Sequence, residues 1–223
     1  MKLERTKNSL KGVSSGLINK IIVTIFPFFI RIVFINTLGV EYLGLNTLFT
    51  SILNILNLTE LGIGVAISFN MFDAIAKDDT KKICALMNFY RKTYKAVGCI
   101  VIILGLSLTP FIKIICKSEL PGNLNIYVLY LLYLLNTILT YFLYSYRTCL
   151  LHAHQQNNIS NNISTITYVI LSILQMIFLL MGKNYYYYVT LTIFATLINN
   201  IIVGIVTSKI YPTYKPERKF SRN

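Results

Sequence analysis

Two cations of this sequence stand inside an apolar stretch, at Lys20 and Arg31 of residues 12–36. An ionisable group at the centre of a bilayer-spanning helix costs about 2.5–3.5 kcal/mol, so such groups usually face protein or a water-filled cavity. Lys20, Thr24, Pro27 and Arg31 fall at i, i+4, i+7 and i+11, one stripe of a helix. A second apolar stretch, 43–69, carries Asn46, Thr50, Asn57, Glu60 and Gly64 on one stripe, with Asn54 in the same run. The chemistry on offer is recognition of an anion. A guanidinium presents a planar, bidentate fork to phosphate, an ammonium is a compact point charge, and amides add hydrogen bonds. Glu60 is the one acid inside an apolar run, so it reads as a charge partner or an ion-coupling group.

Depth separates the two cations. If the first helix rises from one membrane face and the second returns to it, Lys20 and Glu60 share one depth and can pair. Arg31 and Asn46 then share the opposite depth, where no acid within a span matches Arg31; Glu41, in the short link 37–42, is the nearest. Arg31 is therefore the better candidate to await an anionic ligand. The structural alternative makes both stripes helix-to-helix glue, with Arg31 snorkelling to the outer interface and Pro27 kinking its helix. Candidate substrate-binding residues are Arg31, Lys20, Asn46 and Asn57, with Glu60 as the possible pair or coupling group.

Other chemistry finds little support. The cysteines at 84, 99, 116 and 149 form no close pair of the metal or disulfide kind. His152 and His154 stand two apart in a polar link, 147–162, without a nearby acid, and read as a solvated loop. Asp73, Asp78 and Asp79 sit among lysines and read the same way. No nucleophile motif, Gly-rich phosphate loop or carboxylate pair occurs. The expectation is no catalytic residue, no metal, no cofactor and no enzyme activity.

These residues must be positioned by helices in a bilayer. Of 223 residues, 55% are hydrophobic and 13% charged, against about 25% charged in soluble domains. The apolar runs approach the roughly 20 residues that span a bilayer core. The composition predicts an all-α integral membrane protein with six spans, at about 12–36, 43–69, 90–115, 124–146, 163–181 and 185–208. They form one transmembrane lobe, 12–208, between a basic segment, 1–11, and a basic tail, 209–223. The first run has a basic start but no small-x-small cleavage site, and reads as an uncleaved helix. The fifth is the weakest, eroded by Asn161, Asn162 and Ser164. Tyr185, Tyr186, Tyr187 and Tyr188 read as an interfacial aromatic belt.

The net charge of +13 flanks the apolar runs and makes no basic face, which excludes nucleic acid as a partner. Lys and Arg set the orientation. Four lie in 1–11, six in the link after the second span, one at Arg147 and five in the tail. The opposite side holds three, Lys113, Lys117 and Lys183. The bias predicts both termini in the cytoplasm and an even number of spans.

From Arg5 to Asn158 the chain resembles a known family. The resemblance rests on RTKNSLKGVSSGLINKIIVTIFPFFIRIVFINTLGVEYLGLNTLFTSILNILNLTELGIGVAI, whose LG-x-EYLGLN turn and LTELGIG ending are its most specific parts. KDDTKKICALMNFYRK and LLHAHQQN agree with it. The chain is similar to the bacterial lipid-linked oligosaccharide flippases, or polysaccharide biosynthesis proteins, of the multidrug/oligosaccharidyl-lipid/polysaccharide exporter superfamily. The resemblance implies two lobes of about six helices each, built as parallel repeats around a cavity that opens alternately to each side. It implies movement of polyprenyl-diphosphate-linked sugar units outward across the bacterial cytoplasmic membrane, for capsule, O-antigen or related polymers. Cations in the cavity of such flippases receive the diphosphate, a role that falls here on Arg31 and then Lys20. The six-helix chain would be the amino-terminal lobe, truncated or split. Its partners would be the bilayer, the lipid-linked oligosaccharide, and a second six-helix lobe or other polysaccharide-assembly proteins. Three rivals remain. A multidrug cation antiporter of the same superfamily would need Glu60 as coupling carboxylate. A membrane enzyme would need an interfacial acid or His and a sizeable loop. A non-transporting assembly subunit would need neither.

Overall fold

A computed structural model describes residues 5–57, 63–116, 124–143, 145–182 and 184–214 of the chain. The first helix, α1, covers Arg5–Leu38 and continues through Pro27. It stops at Gly39, whose φ of +104° lies in the left-handed region that glycine occupies without strain. The Gly39 amide closes the helix on the Ile35 carbonyl at 3.0 Å, and α2, Val40–Asn57, begins at the next residue. The link expected over 37–42 is thus a one-residue corner, and Glu41 sits in the first turn of α2, where an acid suits the helix dipole.

The span expected over 43–69 is described only in part. α2 ends at Asn57 and α3, Ile63–Ala76, resumes beyond residues 58–62, which lie outside the described residues. The acidic cluster after it builds structure. Asp73, on α3, pairs with Lys77 at 2.8 Å and Lys82 at 3.0 Å, and these two ammonium groups hold its carboxyl below the usual range. Asp78 takes a φ of 50° and closes α3. The Asp79 side chain accepts from the Lys82 amide at 3.0 Å and caps α4, Thr80–Leu108. Only 77–79 remains as a link. Pro110 falls in a 3₁₀ turn, Thr109–Phe111, that leads into α5, Ile112–Ile115. Asn125 caps α6, Ile126–Phe142, by accepting from the amides of Tyr127 and Val128.

The polar link expected over 147–162 is largely helical. α7, Ser145–Ala153, follows α6 at an angle of 53°. α8, Asn157–Gly182, starts well before 163, and the Asn-rich start of the fifth expected span lies within it. Asn184 caps α9, Tyr185–Ile210. Helices α2–α4 and α6–α8 repeat one plan: an apolar helix, then a shorter helix, a tight turn and a long helix. The two turns match in detail. The Asp79 amide donates to the Ala74 carbonyl at 2.9 Å, the Gln156 amide to the Leu151 carbonyl at 2.8 Å, and a left-handed non-glycine, Asp78 or Gln155, precedes each.

Among the described residues four helices are long and apolar enough to cross a membrane: Gly16–Leu38 of α1, Thr80–Ile115, α8 and α9. The bent pair α6 and α7 makes a fifth if taken as one span. Length and composition thus give four or five spans among the described residues; the second expected span includes 58–62, which lie outside them. Among the described residues there is no strand, and the chain is an all-α membrane protein. α1 packs on α8, α8 on α9, α9 on α6 and α6 on α4, while α3 packs on α4 and α7. Phe34, Phe49, Met71, Met87, Leu134, Leu150 and Tyr185 are fully buried in the core. Gly98 and Gly105 let α4 approach α6. A Cβ at Gly98 would meet Phe142 at 2.7 Å, and one at Gly105 would meet the methyls of Leu134. Tyr130 locks the seam by donating to the Gly105 carbonyl at 2.8 Å.

Candidate functional site

Two cavities lie along α2, and a third lies beyond them among the following helices. The first, about 260 Å³, is lined by Pro27, Arg31, Leu43, Asn46, Thr47, Tyr168 and Tyr188, among others. The second, about 300 Å³, is lined by Asn46, Thr50, Asn54, Asn57, Tyr133, Asn136, Thr137, Thr140, Tyr188 and Thr192 with Leu53. The third, about 580 Å³, lies among α3, α4, α6 and α7 and reaches Asn157 of α8. Asn46 and Tyr188 wall both the first and the second, and Thr140 walls both the second and the third. The cavities therefore form a tract along the helix axes. Asn46 and Asn57 alone span about 16 Å of it at helical rise.

The asparagine stripe is held by tyrosines. Tyr133 donates its hydroxyl to Asn46 Oδ1 in a short hydrogen bond and lies 2.9 Å from the Tyr185 hydroxyl. Tyr141 donates to Asn57 Oδ1 at 2.8 Å. With each amide oxygen occupied, the Nδ2 groups remain as donors, which suits an anionic or hydroxylated ligand. Behind them, buried Gln175 of α8 donates to the Tyr188 carbonyl at 3.1 Å and to Thr192 Oγ1 at 2.9 Å, fixing α8 to α9. Asn136 Oδ1 is buried with no hydrogen-bond partner among the described residues. A buried acceptor left without a donor is costly, so this wall is suited to a ligand or water that donates.

Among the described residues Arg31 is the only charged side chain lining the three cavities. It is exposed on α1 and makes no ion pair with a carboxylate among the described residues; Glu41 does not reach it. Arg31 and Asn46 line the first cavity, and Asn46 and Asn57 line the second. Lys20 does not join them. It is exposed on α1, eleven residues and about 16 Å before Arg31, and lines none of the cavities. Helical phase puts both cations on one stripe, but axial distance parts them. Glu60, and with it the expected Lys20–Glu60 pair, lies outside the described residues. Pro27, expected only to kink its helix, lines the first cavity.

Two other expectations are corrected. The tyrosines of 185–188 are not a uniform interfacial belt. Tyr185 is buried with its hydroxyl turned to Tyr133, Tyr188 lines two cavities, and Tyr186 accepts from the Asn125 amide at 2.9 Å; Tyr187 alone is exposed. Nor do the histidines lie in a long loop: His152 is exposed but stands on α7, and His154 is half-buried in the turn after it. His152 lines the largest cavity. His154 stacks on Tyr211 at 4.3 Å, and its Nε2 is buried with no partner among the described residues. Burial holds the His154 imidazole below its usual pKa and pushes the Tyr211 phenol up to about 12. Tyr211 donates to Gln156 Oε1 at 2.9 Å, so this pair docks the end of α9 on the turn between α7 and α8.

Tyr133, Tyr141, Tyr168, Asn136 and Thr192 were missed by the sequence reading. Their only signal was a polar group in an apolar run, shared with many residues that line nothing. No curated protein and no solved structure matches the chain. The family model described as polysaccharide biosynthesis protein matches residues 9–223, and the chain, with its polar tract walled by membrane helices, belongs to that family.

Proposed function

We propose that the chain is a six-span lobe of a flippase that moves polyprenyl-diphosphate-linked oligosaccharide across the bacterial cytoplasmic membrane, with both termini in the cytoplasm. The observation that carries this reading is Arg31, an exposed cation on an apolar helix with no carboxylate partner among the described residues, at the end of a polar tract. A guanidinium so placed is stabilised by an anion, and a diphosphate offers the oxygens that its fork fits. Asn46 and Thr47 stand in the same wall to share those oxygens. Thr24, Arg31, Thr50 and Asn54 are exposed on apolar helices, which favours a second lobe or water rather than lipid against that side. Among the described residues no carboxylate lines the three cavities; Glu60, the coupling group a multidrug antiporter would need, lies outside those residues. The role is transport, without a catalytic residue.

The test is binding of farnesyl diphosphate to the purified chain in nanodiscs. A lost charge-assisted bond, about 1.5–3 kcal/mol, corresponds to a roughly ten- to hundredfold weaker Kd for Arg31→Ala. Equal binding by wild type and Arg31→Ala would remove the proposed site.

A further inference from the structure

The largest of the three cavities has a lining unlike the other two. Of its eleven described lining residues four are Phe or Tyr, at Phe69, Phe72, Tyr90 and Tyr94, and none is an Asp, Glu, Lys or Arg. Ser68, Thr140, Thr148, His152 and Asn157 supply uncharged donors and acceptors around them. The rings are arranged in pairs: Phe69 meets Phe72 edge-on at 6.0 Å, and Tyr90 lies 4.3 Å from Tyr94. Gly64 leaves room for the two phenols, since a Cβ there would stand 3.1 Å from the Tyr90 hydroxyl. At about 580 Å³ the space is within the size range of small-ligand pockets.

We infer that this cavity receives an uncharged sugar ring, separately from the anion held at Arg31. A pyranose has an apolar C–H face that packs on aromatic rings and a rim of hydroxyls that both donate and accept. Aromatic walls interrupted by hydroxyl, amide and imidazole groups match both features. A phosphate or a uronate fits less well, because burying its charge with no cation among the described wall residues is costly. Thr140 lines both this cavity and the middle one, which in turn shares Asn46 and Tyr188 with the cavity at Arg31, so the three are neighbours and the two ends of one ligand are assigned to the outer two. The inference rests on the flippase reading for the source of the sugar, which is the oligosaccharide of the lipid-linked substrate.

The test uses the whole chain in nanodiscs and equilibrium dialysis of radiolabelled probes: neutral methyl glycosides, a methyl glucuronide and inorganic phosphate. A polyprenyl-diphosphate-linked disaccharide forms a further arm. Phe69 is 67% exposed, so its replacement does not threaten folding. Neutral glycosides bind saturably to the wild type, and Phe69→Ala and Phe69→Leu each weaken them by about tenfold, the second because it keeps apolar volume but loses the ring. His152→Ala weakens them as well, and Arg31→Ala leaves them unchanged. The lipid-linked disaccharide loses affinity in both Phe69→Ala and Arg31→Ala. Absence of saturable glycoside binding overturns the inference, as does glucuronide or phosphate binding of equal strength. A lipid-linked disaccharide indifferent to Phe69→Ala also overturns it. Farnesyl diphosphate binding that still depends on Arg31 would then leave the flippase reading standing. Glycoside binding that depends on Phe69, without diphosphate binding at Arg31, would keep the sugar site and remove the anion site.

Discussion

Arg31 and Asn46 face one cavity because depth and helical phase agree. α1 and α2 turn back on each other at Gly39, so residues similarly distant from the corner sit at one level. That relation was legible in the residues: Arg31 stands eight positions before Gly39 and Asn46 seven after it. The tyrosine partners were not. Tyr133 and Tyr141 lie 87 and 84 residues from the asparagines they bond, and the register of α6 on α2 is set by side-chain packing that no local pattern encodes. Tyr133→Phe tests this bond. It leaves the Asn46 oxygen without its donor, and we expect a loss of about 0.6–1.7 kcal/mol in unfolding stability, the range for bonds between membrane helices. Chemical unfolding in mixed micelles measures it. Anion binding should weaken less than in Arg31→Ala, since the charge remains.

At the scale of elements, the long apolar runs were readable as helices, and the polar segments between them were not. The run 147–162 looks like a loop by composition, yet α7 and the start of α8 form there because tertiary packing of Leu150, Leu151 and Ala153 outweighs local polarity. The α4–α6 seam depends on what is missing from Gly105. Gly105→Leu forces side chains into Leu134, and overpacking of this kind costs about 1–3 kcal/mol. The melting temperature in detergent should fall, and Leu134→Ala in the same chain should recover part of the loss. The docking of α9 on α7 carries a pH dependence. Burial lowers the His154 pKa, so above its ordinary 6.5 the packed, neutral ring contributes its full stability. As pH falls below that value the unpacked ring binds a proton first, and stability is lost until the folded pKa is passed. Tryptic cleavage after Lys209 should be faster at acid pH than at neutral pH. His154→Gln should flatten the difference, and an unchanged pH dependence in that variant would remove His154 as its source.

The whole molecule presents a tract of cavities beside a set of polar residues that lipid cannot satisfy. Charge counting predicted cytoplasmic termini, and the order of helices gives that prediction a concrete form. Reporter fusions or cysteine labels at 77–79 and in the tail should report the cytoplasm, and labels at 119–122 the outside. The same side for all three positions would break the six-span reading. The family match covers nearly the whole chain, while the transported substrate is our proposal from the cation and the tract. Transbilayer movement of a fluorescent polyprenyl-diphosphate oligosaccharide in proteoliposomes holding the assembled transporter tests that proposal most directly. The wild type should move it, Arg31→Ala should lose about tenfold or more of the rate, and Arg31→Lys should fall between, keeping charge but not the fork. Transport by Arg31→Ala at the wild-type rate would contradict the central role of this residue.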